Sequence, residues 1–205
     1  MTTIHTIMQA SPVIPVLVLN NPETAVHVAR ALVDGGLRTL EITLRTPEAF
    51  DAISAIKSAV PGAYVGAGTV NTVEQLQQCE NLNVDFMVSP GLHSPLAEAA
   101  LASGIPYLPG IATASEALTA LNMGLDALKF FPAVPAGGVN LLKALNGPYE
   151  QLRFCPTGGI NAGNYQQFLE LSNVTCVGGS WVAPADLIRK NAWSEITGLA
   201  AAASN

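Results

Sequence analysis

Lys129 is the residue of this chain whose surroundings most favour covalent chemistry. It lies in Leu128-Lys129-Phe130-Phe131-Pro132-Ala133, a short apolar run of strand length, whereas the three other lysines lie in stretches that we predict to be helix surface. Burying an ammonium without a partner is costly, and a protein avoids that cost when the amine releases its proton. A neutral lysine attacks carbonyl groups and forms Schiff bases. The alternative is that Lys129 only ends a strand and extends its amine into water.

Glu41 is a second polar residue in an apolar strand, Leu40-Glu41-Ile42-Thr43-Leu44-Arg45-Thr46. Because side chains alternate along a strand, Glu41 and Arg45 share one face, and the leucines and the isoleucine share the other. A buried carboxylate beside an amine can exchange protons with it, which imine chemistry requires several times. Arg45, at the strand end, is well placed to hold a substrate carboxylate by two parallel hydrogen bonds. The alternative is a structural Glu41–Arg45 ion pair.

Paired glycines follow two strands in the last third of the chain, in Thr157-Gly158-Gly159 and in Gly178-Gly179-Ser180. Glycines let backbone N–H groups approach an anion, and the N-terminus of a following helix attracts negative charge. These turns therefore favour a phosphate site over the alternative, which is two tight turns with no ligand.

Two further stretches are less specific. Val65-Gly66-Ala67-Gly68-Thr69-Val70 is a strand of small residues, and its glycines predict space for a ligand or for another backbone. As a nucleotide-binding signature it is weak, because it lacks the third glycine and lies inside the strand. Ser89-Pro90-Gly91 follows the next strand and predicts a rigid turn.

The elements that must position these residues alternate regularly. After a short leader helix over 4–9, each predicted strand is followed by a helical pattern, at a period of roughly two dozen residues. We predict strands at 13–19, 39–43, 64–69, 86–89, 107–108, 128–133, 153–156 and 175–178. Such alternation implies an α/β protein with parallel strands. Eight units predict a closed (β/α)₈ TIM barrel, and the runner-up is an open doubly wound sheet.

The barrel hypothesis places the candidate residues together. Active sites of this architecture lie at the C-terminal ends of the strands, and phosphate sites commonly lie in the loops after the seventh and eighth. Alternation along the sixth strand directs Lys129 and Phe131 inward, and Leu128 and Phe130 toward the helices. No linker or low-complexity segment interrupts the chain, so we expect one domain over 1–205.

Composition excludes several classes of function. The net charge is −6 without a basic cluster, which argues against a nucleic-acid partner. No apolar run reaches the roughly 18 residues of a membrane span, and no signal peptide is recognisable. The three cysteines are widely spaced and no histidines have metal-binding spacing. We therefore expect a cytoplasmic protein without a disulfide framework, metal or other cofactor.

These motifs together resemble the 2-keto-3-deoxy-6-phosphogluconate (KDPG) aldolases, which also act as 4-hydroxy-2-oxoglutarate (KHG) aldolases. The resemblance covers nearly the whole chain and rests on the stretches 15–16, 40–46, 65–70, 89–92, 129–133, 153–160 and 178–181. It implies a homotrimer of (β/α)₈ barrels that acts on a small keto-acid phosphate. Two departures concern substrate range: Val134 stands where many members carry an acidic residue, and His93 where threonine is common.

The resemblance also implies roles for individual residues. Lys129 is expected to form the Schiff base, with Glu41 as its acid/base partner. Arg45 and Thr69 match residues that receive the substrate carboxylate. The remaining matches form the wall of the pyruvate pocket (Pro90, Phe131) and the phosphate-binding turns (Thr157, Gly158, Gly159, Gly179, Ser180).

Two rival functions remain open. One is a phosphosugar isomerase or epimerase on the same barrel, with Glu41 as base and Lys129 as an electrostatic helper. The other is a barrel that binds a phosphorylated ligand without turning it over. A Glu–Lys pair retained in an apolar interior speaks against the second, because such a pair is costly to bury.

Overall fold

Strands and helices alternate throughout the computed structural model, which describes residues 2–204. The strands are β1 (Val13–Leu17), β2 (Thr39–Thr43), β3 (Tyr64–Gly68), β4 (Phe86–Val88), β5 (Tyr107–Leu108), β6 (Gly110–Ile111), β7 (Ala127–Phe130), β8 (Arg153–Pro156) and β9 (Val177–Gly179). The helices are α1 (Ile4–Gln9), α2 (Pro22–Asp34), α3 (Ala49–Ala59), α4 (Val73–Asn81), α5 (Ser94–Ser103), α6 (Ala114–Asn122), α7 (Gly138–Asn146), α8 (Tyr165–Leu169), α9 (Ala185–Arg189) and α10 (Trp193–Ser204).

The strands pair in parallel, as the alternation predicts. One sheet has the order β5-β4-β3-β2-β1-β9, and a second has the order β6-β7-β8. The order follows the chain, without the reversal that characterises a doubly wound sheet. Isolated parallel bridges join Phe154 to Val174 and Thr157 to Gly178, at the β8 and β9 side of the two sheets.

Several predicted strand ends differ from the structure. The strand predicted at 13–19 ends at Leu17, and the one predicted at 128–133 ends at Phe130. The strand predicted at 107–108 resumes after Pro109 as β6, because proline has no N–H for the ladder. The prediction at 175–178 is displaced, since β9 spans Val177–Gly179.

Local chemistry explains where the helices begin. The Asn21 side chain accepts the N–H of Thr24 at the start of α2, and Pro22 occupies the first turn. A reciprocal capping box starts α6, in which Thr113 caps the helix and Glu116 bonds back to the backbone. These caps fix the point at which the chain leaves each strand and turns into the following helix.

Apolar side chains form two clusters, one on each face of the strands. The outer cluster lies between strands and helices and includes Leu40, Ile42, Leu128 and Phe130. The inner cluster lies on the opposite face; its members are Ile7, Met8, Ile14, Phe86, Val88, Leu108, Ala127, Cys155 and Cys176. The predicted inward and outward faces of β2 and β7 are therefore correct.

Helix α1 covers one end of the inner cluster. Ile7 and Met8 are fully buried there, and the Ile7 carbonyl accepts a hydrogen bond from Thr39 Oγ1 at the start of β2. His5 Nε2 lies 2.8 Å from the carboxylate of Asp126, just before β7. The helix therefore lies at the N-terminal ends of the strands, which leaves the C-terminal ends for the candidate site. Within residues 2–204, no helix is long and apolar enough to cross a membrane.

Candidate active site

Glu41 and Lys129 form an ion pair on the inner face of the strands. Lys129 Nζ donates to Glu41 Oε1 at 3.1 Å and approaches Oε2 at 3.4 Å. Glu41 is only 3% exposed and Lys129 only 6%. Because β2 and β7 belong to different sheets, the pair depends on the way the sheets face one another. The partner of Glu41 is thus Lys129, and the alternative Glu41–Arg45 ion pair is not formed.

Small residues and one aromatic ring surround the pair. Lys129 Nζ lies 5.4 Å from the centroid of the Phe131 ring, within the range of a cation–π interaction. On the other side, a side chain at Gly68 would overlap the Glu41 carboxylate, and one at Gly66 would overlap the Phe86 ring. The glycines of β3 thus make room for side chains. Our prediction that they make room for a ligand or another backbone is wrong.

A cavity of about 250 Å³ lies beside this pair, at the C-terminal ends of the strands. It brings together seven of the predicted site residues: Arg45, Phe131, Thr157, Gly158, Gly159, Gly179 and Ser180. Phe131 connects the two parts of the site, since its ring contacts the Lys129 amine and also lines the cavity. Arg45 is the only charged residue among the described residues of this lining, so the cavity is suited to an anion.

Backbone conformation and packing already explain why glycine occupies the paired positions. Gly158 and Gly159 have φ angles of +102° and +78°, which favour glycine. Side chains at Gly178 and Gly179 would overlap Thr157 and the Trp181 ring, respectively. The glycines alone therefore do not distinguish a phosphate site from two tight turns. The cavity that both turns line, together with Arg45, is what favours the phosphate site.

Four predicted site residues lie outside the cavity lining: Glu41 and Lys129, which form the ion pair, and Thr69 and Pro90. Thr69 follows β3 with φ +60°, a strained conformation for a β-branched residue. Such strain is often found at functional sites. The Pro90 carbonyl packs against Gly110, the cross-strand neighbour of Lys129. Both residues thus adjoin the Glu41–Lys129 pair through its immediate neighbours, Gly68 and Gly110.

A buried hydrogen-bond relay holds the turn that contains Pro90. Ser89 Oγ lies 2.6 Å from the Tyr107 hydroxyl and donates to the Gly91 carbonyl at 2.8 Å. Burial raises the pKa of Tyr107, and the hydrogen bond with Ser89 partly opposes this shift. Sequence reasoning treated Ser89 as part of a turn and missed its link to Tyr107. Nothing in the local pattern indicates that β5 lies opposite this turn.

Cys79, Cys155 and Cys176 are buried and free. Burial raises the pKa of the Cys79 thiol to about 12. The pKa of Cys176 is also raised, first by a hydrogen bond with Cys155 and then by burial. Among the residues that the structure describes, no group of three or more His, Cys, Asp or Glu side chains is arranged to hold a metal ion.

Comparisons with known proteins agree with this geometry. The model of the family described as "KDPG and KHG aldolase" matches residues 4–199. The KHG/KDPG aldolase of Escherichia coli strain K12 is 49% identical over 199 residues, which cover 97% of this chain and 93% of that protein.

Two solved structures extend the comparison. The KDPG aldolase of Legionella pneumophila, crystallised with pyruvate captured at low pH as a covalent carbinolamine intermediate, has a TM-score of 0.97 and 45% identity, and the match covers 100% of this chain and 99% of that one. The KDPG aldolase of Zymomonas mobilis ZM4 with 3-phosphoglycerate has a TM-score of 0.92 and 46% identity, and the match covers 98% of this chain and 94% of that one.

Proposed function

Since the chain belongs to the KDPG and KHG aldolase family, we propose that it is a class I aldolase that cleaves KDPG to pyruvate and glyceraldehyde 3-phosphate. Cleavage of KHG to pyruvate and glyoxylate is the expected second activity. The observation that carries the proposal is the buried contact of 3.1 Å between Lys129 Nζ and Glu41 Oε1. This contact supports the proposal because an amine that acts as a nucleophile needs a neighbouring carboxylate with which it can exchange protons.

The reaction begins with proton transfer from Lys129 to Glu41. The neutral amine attacks the C2 ketone and forms a carbinolamine, and Glu41 returns a proton to the departing hydroxyl as water leaves. The resulting iminium accepts electrons, so the C3–C4 bond breaks when Glu41, directly or through a water, removes the proton of the C4 hydroxyl. The aldehyde departs, Glu41 protonates the enamine at C3, and hydrolysis of the iminium releases pyruvate and the free amine.

The surrounding residues bind the two charged ends of the substrate. We assign the phosphate to the turns that line the cavity, at Thr157, Gly158, Gly159, Gly179 and Ser180. Arg45 and Thr69 receive the carboxylate, and Pro90 and Phe131 form the wall of the pyruvate pocket. The position of Phe131, against both the amine and the cavity, supports this division.

Borohydride trapping tests the proposal. Borohydride added with pyruvate reduces an iminium to a stable adduct, so the wild type is expected to carry a pyruvate-derived label on the peptide that contains Lys129. Lys129→Ala is expected to abolish both labelling and turnover, whereas Lys57→Ala, which removes a partly exposed lysine paired with Asp85, leaves both intact. Turnover that persisted in Lys129→Ala, or a wild type without a label, would contradict the imine mechanism and favour an isomerase or a binding protein.

The architecture that we propose is a single domain over 1–205 whose strands close into a (β/α)₈ barrel. Three features support closure. Only Pro109 separates β5 from β6, the Lys129 N–H donates to the Pro109 carbonyl, and Thr157 pairs with Gly178 across β8 and β9. The inner cluster is then the filled lower half of the barrel. A crystal structure with an open edge between β8 and β9 would contradict this architecture.

We further propose that the chain acts as a homotrimer in the cytoplasm. The trimer is implied by the family resemblance, and the buried free thiols suit a reducing compartment. Size-exclusion chromatography with light scattering is expected to give the mass of three 21.3-kDa chains. The mass of a single chain would contradict the trimer.

A further inference from the structure

Neither the backbone conformation nor the strand pairing at position 68 requires a glycine. It is buried at the end of β3, and its φ is not in the left-handed region, so an L-residue could adopt its backbone conformation. Glycine in the middle of a strand is unfavourable by roughly 0.5–1 kcal/mol relative to alanine, and Gly68, although the last residue of β3, is still paired with Thr43 of β2. A requirement for space must therefore explain it.

The space is occupied by Glu41. A Cβ atom at Gly68 would overlap Glu41 Oε1 and would lie only 2.7 Å from the carboxyl carbon. The same oxygen, Oε1, accepts a hydrogen bond from Lys129 Nζ at 3.1 Å. The carboxylate thus contacts both the bare backbone of β3 and the amine.

The β2 backbone is held along both edges, which opposes its movement away from a clash. Glu41 is paired with Val16 of β1 and with Gly66 of β3. Its neighbours Leu40 and Ile42 are fully buried in the outer cluster. A side chain at position 68 would therefore rotate the Glu41 carboxylate about its side-chain bonds and change its distance from Lys129 Nζ.

We propose that Gly68 is a positioning residue. Because it has no side chain, it leaves the space in which the Glu41 carboxylate lies within reach of Lys129 and of the reacting substrate. This inference rests on the proposed function, since it concerns the proton transfers assigned to Glu41. Displacement of a catalytic group by about 1 Å can reduce the rate by about 10²-fold. Gly68→Ala is therefore expected to lower kcat by one to two orders of magnitude and to shift the pH dependence of kcat.

Gly66→Ala is the matched control. Gly66 lies two residues away on the same face of β3, and its substitution adds the same methyl group. The nearest atoms to that methyl belong to the Phe86 ring in the inner cluster. Gly66→Ala is expected to lower the melting temperature while kcat and its pH profile stay within threefold of wild type. Equal losses of kcat in both variants would overturn the inference.

A double variant separates an effect through Glu41 from a general one. Glu41→Ala removes the carboxylate that the new methyl would displace, so adding Gly68→Ala to it is expected to change the residual turnover by less than twofold. If Gly68→Ala alone does not fold, the double variant is expected to fold, because the overlapping atoms are absent. A double variant that is unfolded, or that loses a further tenfold in turnover, would overturn the inference.

Trapping with pyruvate and borohydride shows whether a negative result concerns the role of Gly68 or the proposed aldolase function. A wild type that is not labelled at Lys129 contradicts the aldolase mechanism itself. A wild type that is labelled, together with a Gly68→Ala variant of wild-type kcat and pH profile, overturns only the role of Gly68.

Discussion

At the scale of single residues, the buried Glu41–Lys129 pair needs an explanation other than stability. Taking two charges out of water costs several kcal/mol for each ion, and their mutual attraction often does no more than offset that cost. Both side chains are less than a tenth exposed, and within residues 2–204 no second acidic side chain forms an ion pair with the amine. A pair of this kind is therefore better explained by the proton transfers that it permits.

The substitution Glu41→Gln separates the catalytic role from the structural one. Glutamine keeps the size of the side chain but cannot take up a proton, so kcat is expected to fall by about 10²–10⁴-fold. The fold is expected to persist, because the side-chain oxygen of glutamine can still accept the hydrogen bond from Lys129 Nζ. A coupled lactate dehydrogenase assay for pyruvate and thermal unfolding measure the two effects.

Asp85→Asn is the control for Glu41→Gln, because it removes one partner of an ion pair to which we assign only a structural role. Asp85 accepts hydrogen bonds from Lys57 Nζ at 3.0 Å and from the Val65 N–H at 2.7 Å, remote from the cavity. Its substitution is expected to lower stability while kcat is retained, the reverse of the pattern for Glu41→Gln. A collapse of the melting temperature in Glu41→Gln, with kcat preserved, would instead make the Glu41–Lys129 pair structural.

At the scale of elements, local signals predicted most of the fold. Helix α1 (Ile4–Gln9) and the strands β2 (Thr39–Thr43) and β8 (Arg153–Pro156) have the predicted bounds. Each is defined by its own periodicity and by the turn residues that flank it. Alternation along β2 and β7 also predicted which side chains face inward, and so placed Glu41 and Lys129 on the inner face.

The sequence did not predict the contacts between residues of different elements, because these contacts depend on which elements lie opposite one another. Sequence alone does not show that Gly68 faces a carboxylate, that Gly178 makes room for Thr157, or that Tyr107 reaches Ser89. Pro109 is a local reason for the division of the fifth strand, but the sequence does not show that β5 pairs with β4 and β6 with β7. Periodicity identifies the face on which a residue lies, whereas the partner across that face is set by the tertiary structure.

At the scale of the whole molecule, buried groups that are neutral when protonated make the fold sensitive to alkali. The pKa of Cys79 is raised from 9.0 to about 12, and the pKa values of Tyr107 and Cys176 are also raised. The unfolded chain therefore releases these protons at a lower pH than the folded chain does. It follows that the free energy of unfolding is unaffected by these groups below about pH 9 and decreases as the pH rises from there.

Cys79 alone is expected to account for a loss of about 2–3 kcal/mol in the free energy of unfolding between pH 9 and pH 11, since each unit of pKa difference corresponds to about 1.4 kcal/mol. Cys79→Ala has no thiol to ionise, so it is expected to be less stable than the wild type at pH 8 but to lose less stability on the way to pH 11. Urea unfolding of both proteins at pH 8, 9.5 and 11 measures the difference between their free energies of unfolding, to which all groups other than Cys79 contribute equally. Parallel pH dependences in the two proteins would show that the Cys79 thiol ionises as readily in the folded chain as in the unfolded one.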